Sequence, residues 1–121
     1  MSIRNNNIML IGNLGKPAEI TETKAGTVAK FSLAVYRSGR GDEAITDWLP
    51  VVCWHGLARG MDNVAKGTKL IVIGSVATRN YENKDGAKVY ITEILAREIG
   101  MSIEVKEDRK EMEEEDFSVP F

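Results

Sequence analysis

Two tryptophans and a tyrosine hold most of the chemical potential of this 121-residue sequence. Trp48, Val52 and Trp54 share one face of an alternating stretch, and Leu49, Val51 and Cys53 share the other. The second set suffices for a core, so the tryptophan face reads as an exposed platform. Packing against a second sheet or a subunit is the alternative, and for Trp48 both readings stand. Six extended residues separate the two rings by about 20 Å, too far for one base and suited to successive nucleotides. Tyr81 shares a face with Arg79 further along. Aromatic faces stack bases while interleaved cations follow phosphates, which is how single-stranded nucleic acid is held.

No catalytic constellation accompanies these residues, and the sequence is not expected to be an enzyme. Ser32, Ser38 and Ser75 lack the glycine-flanked turn of a nucleophile. Residues 12–17 superficially resemble a phosphate loop, but the four-residue gap between glycines and the hydroxyl after Lys16 are missing, so a strand-end turn is expected. Asp42, Asp47, Asp62 and Asp85 fall in expected loops, turns or a helix, where aspartate is ordinary. The single histidine, His55, follows a strand, reads as structural, and excludes a histidine zinc cluster; the single cysteine, Cys53, excludes an intramolecular disulfide. No metal or cofactor is expected.

Those residues need a scaffold, and the length gives one domain as the prior. Sixty of the 121 residues are apolar or glycine, enough for a core. No run approaches the ~18 apolar residues of a membrane helix. The residues after Met1 lack an apolar signal segment, so a cytoplasmic protein with no membrane role is expected. Residues 1–103 carry 13 Lys and Arg against 10 Asp and Glu, a net of +3, while residues 104–121 carry 3 against 8, a net of −5. A mildly basic body with an acidic end suits a nucleic-acid binder or an interaction tail; a solvated terminus without a role is the bland alternative.

The body reads as β. Residues 8–11, 18–23, 28–36 and 48–54 are short apolar or alternating runs separated by Gly, Asn, Pro and Asp. Leu57, Met61 and Val64 fall at helical spacing before Gly67, and Gly56 and Gly60 keep that helix short. Residues 70–76 form a near-continuous apolar run suited to a strand buried on both sides. Alternation continues to Glu82, and Asp85-Gly86 predicts a type I′ hairpin turn before residues 88–94. With the helix set between the third and fourth strands, this order predicts an all-β, five-stranded Greek-key barrel of the OB type, with an extended hairpin arm. Only one crossover helix is available, too few for a three-layer α/β fold. After Ile103 the composition turns polar and is expected to be disordered. The expected domains are therefore the barrel, 1–103, and a linker with an acidic tail, 104–121.

The ordered succession of several segments resembles the bacterial single-stranded-DNA-binding protein family. They are residues 7–15, 28–35, Thr46-Asp47-Trp48, Val51-Val52-Cys53-Trp54, Leu57-Ala58, Lys66-Gly67, Gly74-Ser75, Thr78-Arg79-Asn80-Tyr81, and Asp85-Gly86 through 90–93. The resemblance implies an OB barrel, a homotetramer (dimers in some relatives), and sequence-tolerant binding of single-stranded DNA. It places the stacking aromatics on Trp48, Trp54 and Tyr81, and matches Arg79 and Lys66 by motif. Arg4, Arg37, Arg40, Lys69 and Lys84 are expected DNA contacts on charge and expected exposure alone. The loop after the second long strand lacks the family's further aromatic and holds Ser38-Gly39-Arg40-Gly41 instead. Pro50 and Gly56 stand where basic residues are common in relatives, which implies weaker binding or a different path for the strand.

The last residues also resemble the family, whose members finish with acids, a bulky apolar residue and Pro-Phe. Here Glu113, Glu114, Glu115 and Asp116 precede Phe117, Ser118, Val119, Pro120 and Phe121. The implied role is recruitment of replication, recombination and repair proteins, with the acids drawn to a basic rim and the apolar plug entering a pocket. Phe117-Ser118 interrupts the pattern, and the linker is short for the family, which restricts the tail's reach. A short linker also fits a compact, phage-borne or plasmid-borne variant. Two rival readings keep the same barrel, a primosomal accessory protein and an RNA-binding OB domain; the acidic Pro-Phe end argues against the first.

Overall fold

Alternation in sequence becomes alternation of burial. In the computed structural model, which describes residues 5–38 and 44–103, β1 spans Ile8–Leu14, β2 Glu19–Thr23, β3 Gly26–Ser38 and β4 Ile45–Trp54. A six-residue helix, α1 (His55–Gly60), leads to β5 (Lys69–Glu82) and β6 (Lys88–Met101). On β3, Phe31 and Leu33 are buried while Lys30 and Ser32 are exposed; on β4, Val51 and Cys53 are buried while Trp48 and Pro50 are exposed. Leu14, Leu70 and Val72 complete the interior from β1 and β5. Each such aliphatic side chain contributes roughly 1.5–3 kcal/mol when fully removed from water.

The sheet order is β1-β5-β6-β4-β3-β2, and an additional β1–β3 pairing closes it into a ring. β1 runs antiparallel to β5 from Ile8 to Asn13, then crosses to β3 through Asn13↔Ala34 and Leu14↔Leu33. β2 continues along β3 in the same sense, from Glu19↔Lys30 to Thr23↔Gly26. β1 and β2 are thus one interrupted strand, which reconciles six strands with the expected five and sets α1 between the third and fourth. β4 and β6 meet in parallel at Val51↔Ile94 and Val52↔Leu95, the one parallel pairing among the described strands. A closed ring leaves few unpaired strand edges.

Several local expectations are corrected. β1 continues past Gly12-Asn13 to Leu14, because the close passage from β5 to β3 needs a residue without a side chain: a Cβ on Gly12 would lie 2.5 Å from the Ala34 carbonyl oxygen. The helix is short, as Gly56 and Gly60 implied, and ends before Met61 and Val64 of the apolar stripe, with Asn63 taking positive φ in the turn that follows. Ala58 and Met61 still bury against the barrel, so the apolar spacing marked the packing stripe and not the helix length. At the arm tip, Gly86 alone takes positive φ, and its N–H donates to the Asn83 carbonyl at 3.0 Å. The Asn83 side-chain oxygen also accepts from the Asp85 and Ala87 N–H groups. The turn is therefore not type I′, which needs two positive φ values; asparagine supplies the local acceptor instead. β5 is buried on one face only: Leu70 and Val72 are inside, while Ile71 and Ile73 stay half-buried opposite Ile11 and Met9.

The glycine-rich loop with Arg40, the segment with Arg4, and the linker and tail lie outside the described residues. Among the described residues, no helix is long and apolar enough to cross a membrane.

Cys53 is fully buried, and that burial pushes its thiol up to about 11. The thiol is expected to resist alkylation at pH 8 in the native protein and to react once the protein unfolds. Because the unfolded thiol ionises first, its contribution to stability is complete below about pH 9 and is lost as pH rises through about 11. Urea titrations of wild type and Cys53→Ala at pH 8 and pH 11 check the sign: the wild type should lose more stability between them.

Candidate nucleic-acid interface

The ladder between β3 and β4 fixes which side chains share the outer face. Its outward pairs are Val28↔Trp54, Lys30↔Val52, Ser32↔Pro50 and Ala34↔Trp48. β6 extends this face through Leu95, paired with Val52, and β5 extends it through Ser75, paired with Leu95. Continuing up the arm with a period of two places Ala77, Arg79 and Tyr81 on that side. The structure thus brings Trp48, Trp54, Arg79 and Tyr81 to one continuous surface. Trp48 keeps 62% of its area exposed and Tyr81 47%. The Trp48 ring lies across Gly15, where an added Cβ would meet it at 2.7 Å. One side of the indole is therefore braced by backbone while much of the ring stays accessible. Trp54 is half-buried, directly across from the buried Val28.

An open groove of about 450 Å³ runs beside Trp48 on this surface. Pro50, Val51 and Val52 contribute its apolar lining, Lys16 and Lys30 its cations, and Glu19 and Glu93 its acids. The sequence offered Lys16 only as part of a rejected phosphate loop and gave Lys30 no role. Their roles depend on the β1–β2 connection folding back against β3, where the Gly15 N–H donates to the Ser32 carbonyl at 3.0 Å. Tyr36 was likewise left out. It pairs with Thr46, one step beyond Ala34↔Trp48, and is 60% exposed on the Trp48 side. Its even spacing from Lys30 and Ser32 was the available signal.

The expected cations divide. The Arg79 Nε–H donates to Glu93 Oε1 at 3.0 Å, and the Glu93 side chain is only 13% exposed. That pair anchors the arginine on the outer face and engages one of five guanidinium donors. Arg37 is the bulged residue of β3; its Nε–H donates to Asp47 Oδ2 at 2.9 Å. Asp47 precedes Trp48 and so faces the other way, which separates Arg37 from the aromatics. Both pairs have an exposed arginine, and such pairs contribute only about 0–1 kcal/mol. Lys66 is exposed beside Gly67, whose N–H donates to the Leu14 carbonyl at 2.8 Å, one residue from the Gly15 that Trp48 covers. Lys84 is exposed at the arm tip. Lys69 opens β5 opposite Asn13, ten residues or about 33 Å of strand from Arg79. It is therefore not brought together with the arm. Among the described residues, no group of three or more His, Cys, Asp or Glu could hold a metal ion.

Comparison with known proteins places this barrel. The single-strand binding protein family profile matches residues 5–102. A single-stranded DNA-binding protein of Enterococcus faecalis is 42% identical over 94 residues, covering 74% of this chain and 50% of that protein. One from Streptococcus mutans is 40% identical over 95 residues, covering 75% of this chain and 58% of that protein. The chain thus spans about half to three-fifths of the length of these two curated relatives. Among solved structures, a Plasmodium falciparum SSB in complex with ssDNA superposes with a TM-score of 0.70 at 28% identity, covering 85% of this chain and all of that one. The chain belongs to the single-strand binding protein family.

The two faces of β4 should respond oppositely to truncation. Trp48→Ala is expected to leave the thermal midpoint within about 2 °C of wild type, since surface changes typically cost under ~0.5 kcal/mol. Val51→Ala, whose side chain is 1% exposed, should cost about 2 kcal/mol through lost burial and the cavity it leaves. Thermal and urea unfolding of both variants check this.

Proposed function

We propose that the chain binds and protects single-stranded DNA with little sequence preference and without catalysis. The observation that carries this reading is the shared outer face of Trp48, Trp54, Arg79 and Tyr81. Bases stack on the rings, while Arg79, Lys30, Lys16 and Lys66 meet phosphates. Stacking tolerates sequence because every base has a π-face. Lys84 at the arm tip extends the track, with Arg4 and Arg40 as further cations; Arg37 and Lys69 lie away from the central aromatics. The names of the relatives support the reading, and so does the solved neighbour described as a complex with ssDNA.

Self-association belongs to the same proposal. Met9↔Ile73 and Ile11↔Ile71 form neighbouring outward pairs on β1 and β5, with Met9 63% and Ile11 48% exposed. A contiguous apolar patch on the side where β1 meets β5 suits burial against further copies, and a homotetramer is the proposed assembly. Residues 113–121, through Glu114, Glu115, Asp116, Phe117, Val119, Pro120 and Phe121, are proposed to recruit replication, recombination and repair proteins in a bacterial cytoplasm. Their acidic lead and apolar plug support that role.

A titration with poly-dT, on protein whose mass is fixed by light scattering, tests this reading. Poly-dT should quench tryptophan emission and bind more tightly than poly-U; a preference for poly-U favours the RNA-binding alternative. Trp54→Ala and Tyr81→Ala should each weaken binding by about 1–3 kcal/mol while the barrel stays folded. Affinity should fall with salt at about −0.7 per phosphate contact in log–log form, and Arg79→Ala should remove about one contact. An affinity independent of salt contradicts the mode. In the same light-scattering measurement, Met9→Glu with Ile11→Glu should reduce the mass of the assembly without unfolding the barrel.

A further inference from the structure

Where β4 passes directly into α1, the backbone takes an unusual conformation. His55 has φ of +59°, a left-handed conformation that glycine or asparagine adopts readily and histidine less so. A non-glycine residue is strained there, so the surrounding structure must enforce it. Two neighbours fix where its ring goes. Gly26 leaves the space: a Cβ there would lie 2.6 Å from both Cε1 and Nδ1 of the imidazole. Trp54 supplies the second wall, with its ring centroid 6.1 Å from that of His55 and the planes tilted by 46°. His55 nonetheless stays solvent-exposed.

That tilt matters chemically. Two coplanar rings would form one wider stacking surface. At 46°, a flat group lying on Trp54 is inclined to the imidazole and cannot stack flat on both rings, and with the Nδ1–Cε1 edge against Gly26, Nε2 is the nitrogen set further from that glycine. Such a nitrogen can take part in a hydrogen bond as donor or acceptor. We infer that His55 is a DNA-binding residue in its own right, whose ring edge hydrogen-bonds the nucleotide stacked on Trp54. This deepens the single-stranded-DNA reading and rests on it. The sequence alone made His55 a structural residue, because nothing in a lone histidine after a strand discloses a left-handed backbone or a glycine cleared beneath the ring.

Three substitutions separate contact from scaffolding, read by anisotropy of a fluorescently labelled dT oligomer and by thermal unfolding. His55→Gly accepts the backbone and removes the side chain. It should match or exceed wild type in thermal midpoint, yet bind roughly three- to tenfold more weakly. His55→Phe keeps a ring without a donor, and should bind as weakly as His55→Gly. His55→Asn accepts the backbone and restores a short donor and acceptor, so it should recover part of the affinity. The stability order and the affinity order therefore differ. Wild-type affinity in His55→Gly, or a loss that follows the thermal midpoint across the three variants, overturns the inference. Failure of the wild-type protein itself to bind the dT oligomer removes the underlying single-stranded-DNA reading instead.

Discussion

Closure of the ring by β1 is the constraint on which the rest depends. One strand pairs with β5 over Ile8–Asn13 and hands over to β3 at Asn13–Leu14. The handover is tight enough that Gly12 has the Ala34 carbonyl where a Cβ would sit. Once closed, every strand has a defined inside and outside, and a period of two assigns each side chain to one or the other. Leu14, Leu33, Val51, Leu70 and Val72 become a core because closure leaves them nowhere else to go. A one-residue slip in β4 would exchange Trp48 with Leu49 and dismantle core and platform together.

The same closure gives the exterior two unlike surfaces. Across β3, β4 and the β5–β6 arm, aromatics are interspersed with cations, Arg79 paired with Glu93, and the groove beside Trp48 collects Lys16 and Lys30. Where β1 meets β5, the exterior is aliphatic, with Met9, Ile11, Ile71 and Ile73 side by side. The first surface offers π-faces and N–H donors to a flexible polyanion. The second offers only apolar area and suits a protein surface. β5 contributes to both, its first half to the aliphatic patch and its second half to the arm. Between the halves lies the register shift at Ile73/Gly74 against β6.

Much of this was legible from side-chain periodicity. The faces of β3 and β4, and the arm with Arg79 beside Tyr81, follow from alternation alone, whereas for Trp48 alternation left platform and packing both open, and its 62% exposure comes from the structure. What stayed hidden depended on contacts distant in sequence or on backbone dihedrals. The run 70–76 looked buried on both sides, because apolar content does not distinguish a strand covered on both faces from one with a partly exposed apolar face. Arg37 looked like a phosphate contact until the bulge at Tyr36/Ser38 turned it to Asp47. Lys16 joined the groove only through the fold-back at Gly15, and the left-handed turn at Asn63 that follows the short helix had no sequence signal.

The central claim is that DNA lies on the aromatic exterior and leaves the aliphatic one untouched. Proton–nitrogen correlation spectra of the isotopically labelled protein, recorded during titration with a short dT oligomer, test it most directly. The account predicts that both indole N–H resonances, from Trp48 and Trp54, move on binding, together with outer-face amides of β3 and β4, while the Met9 and Ile11 amides hold still. Stationary indoles with shifts concentrated at Met9, Ile11, Ile71 and Ile73 would contradict it.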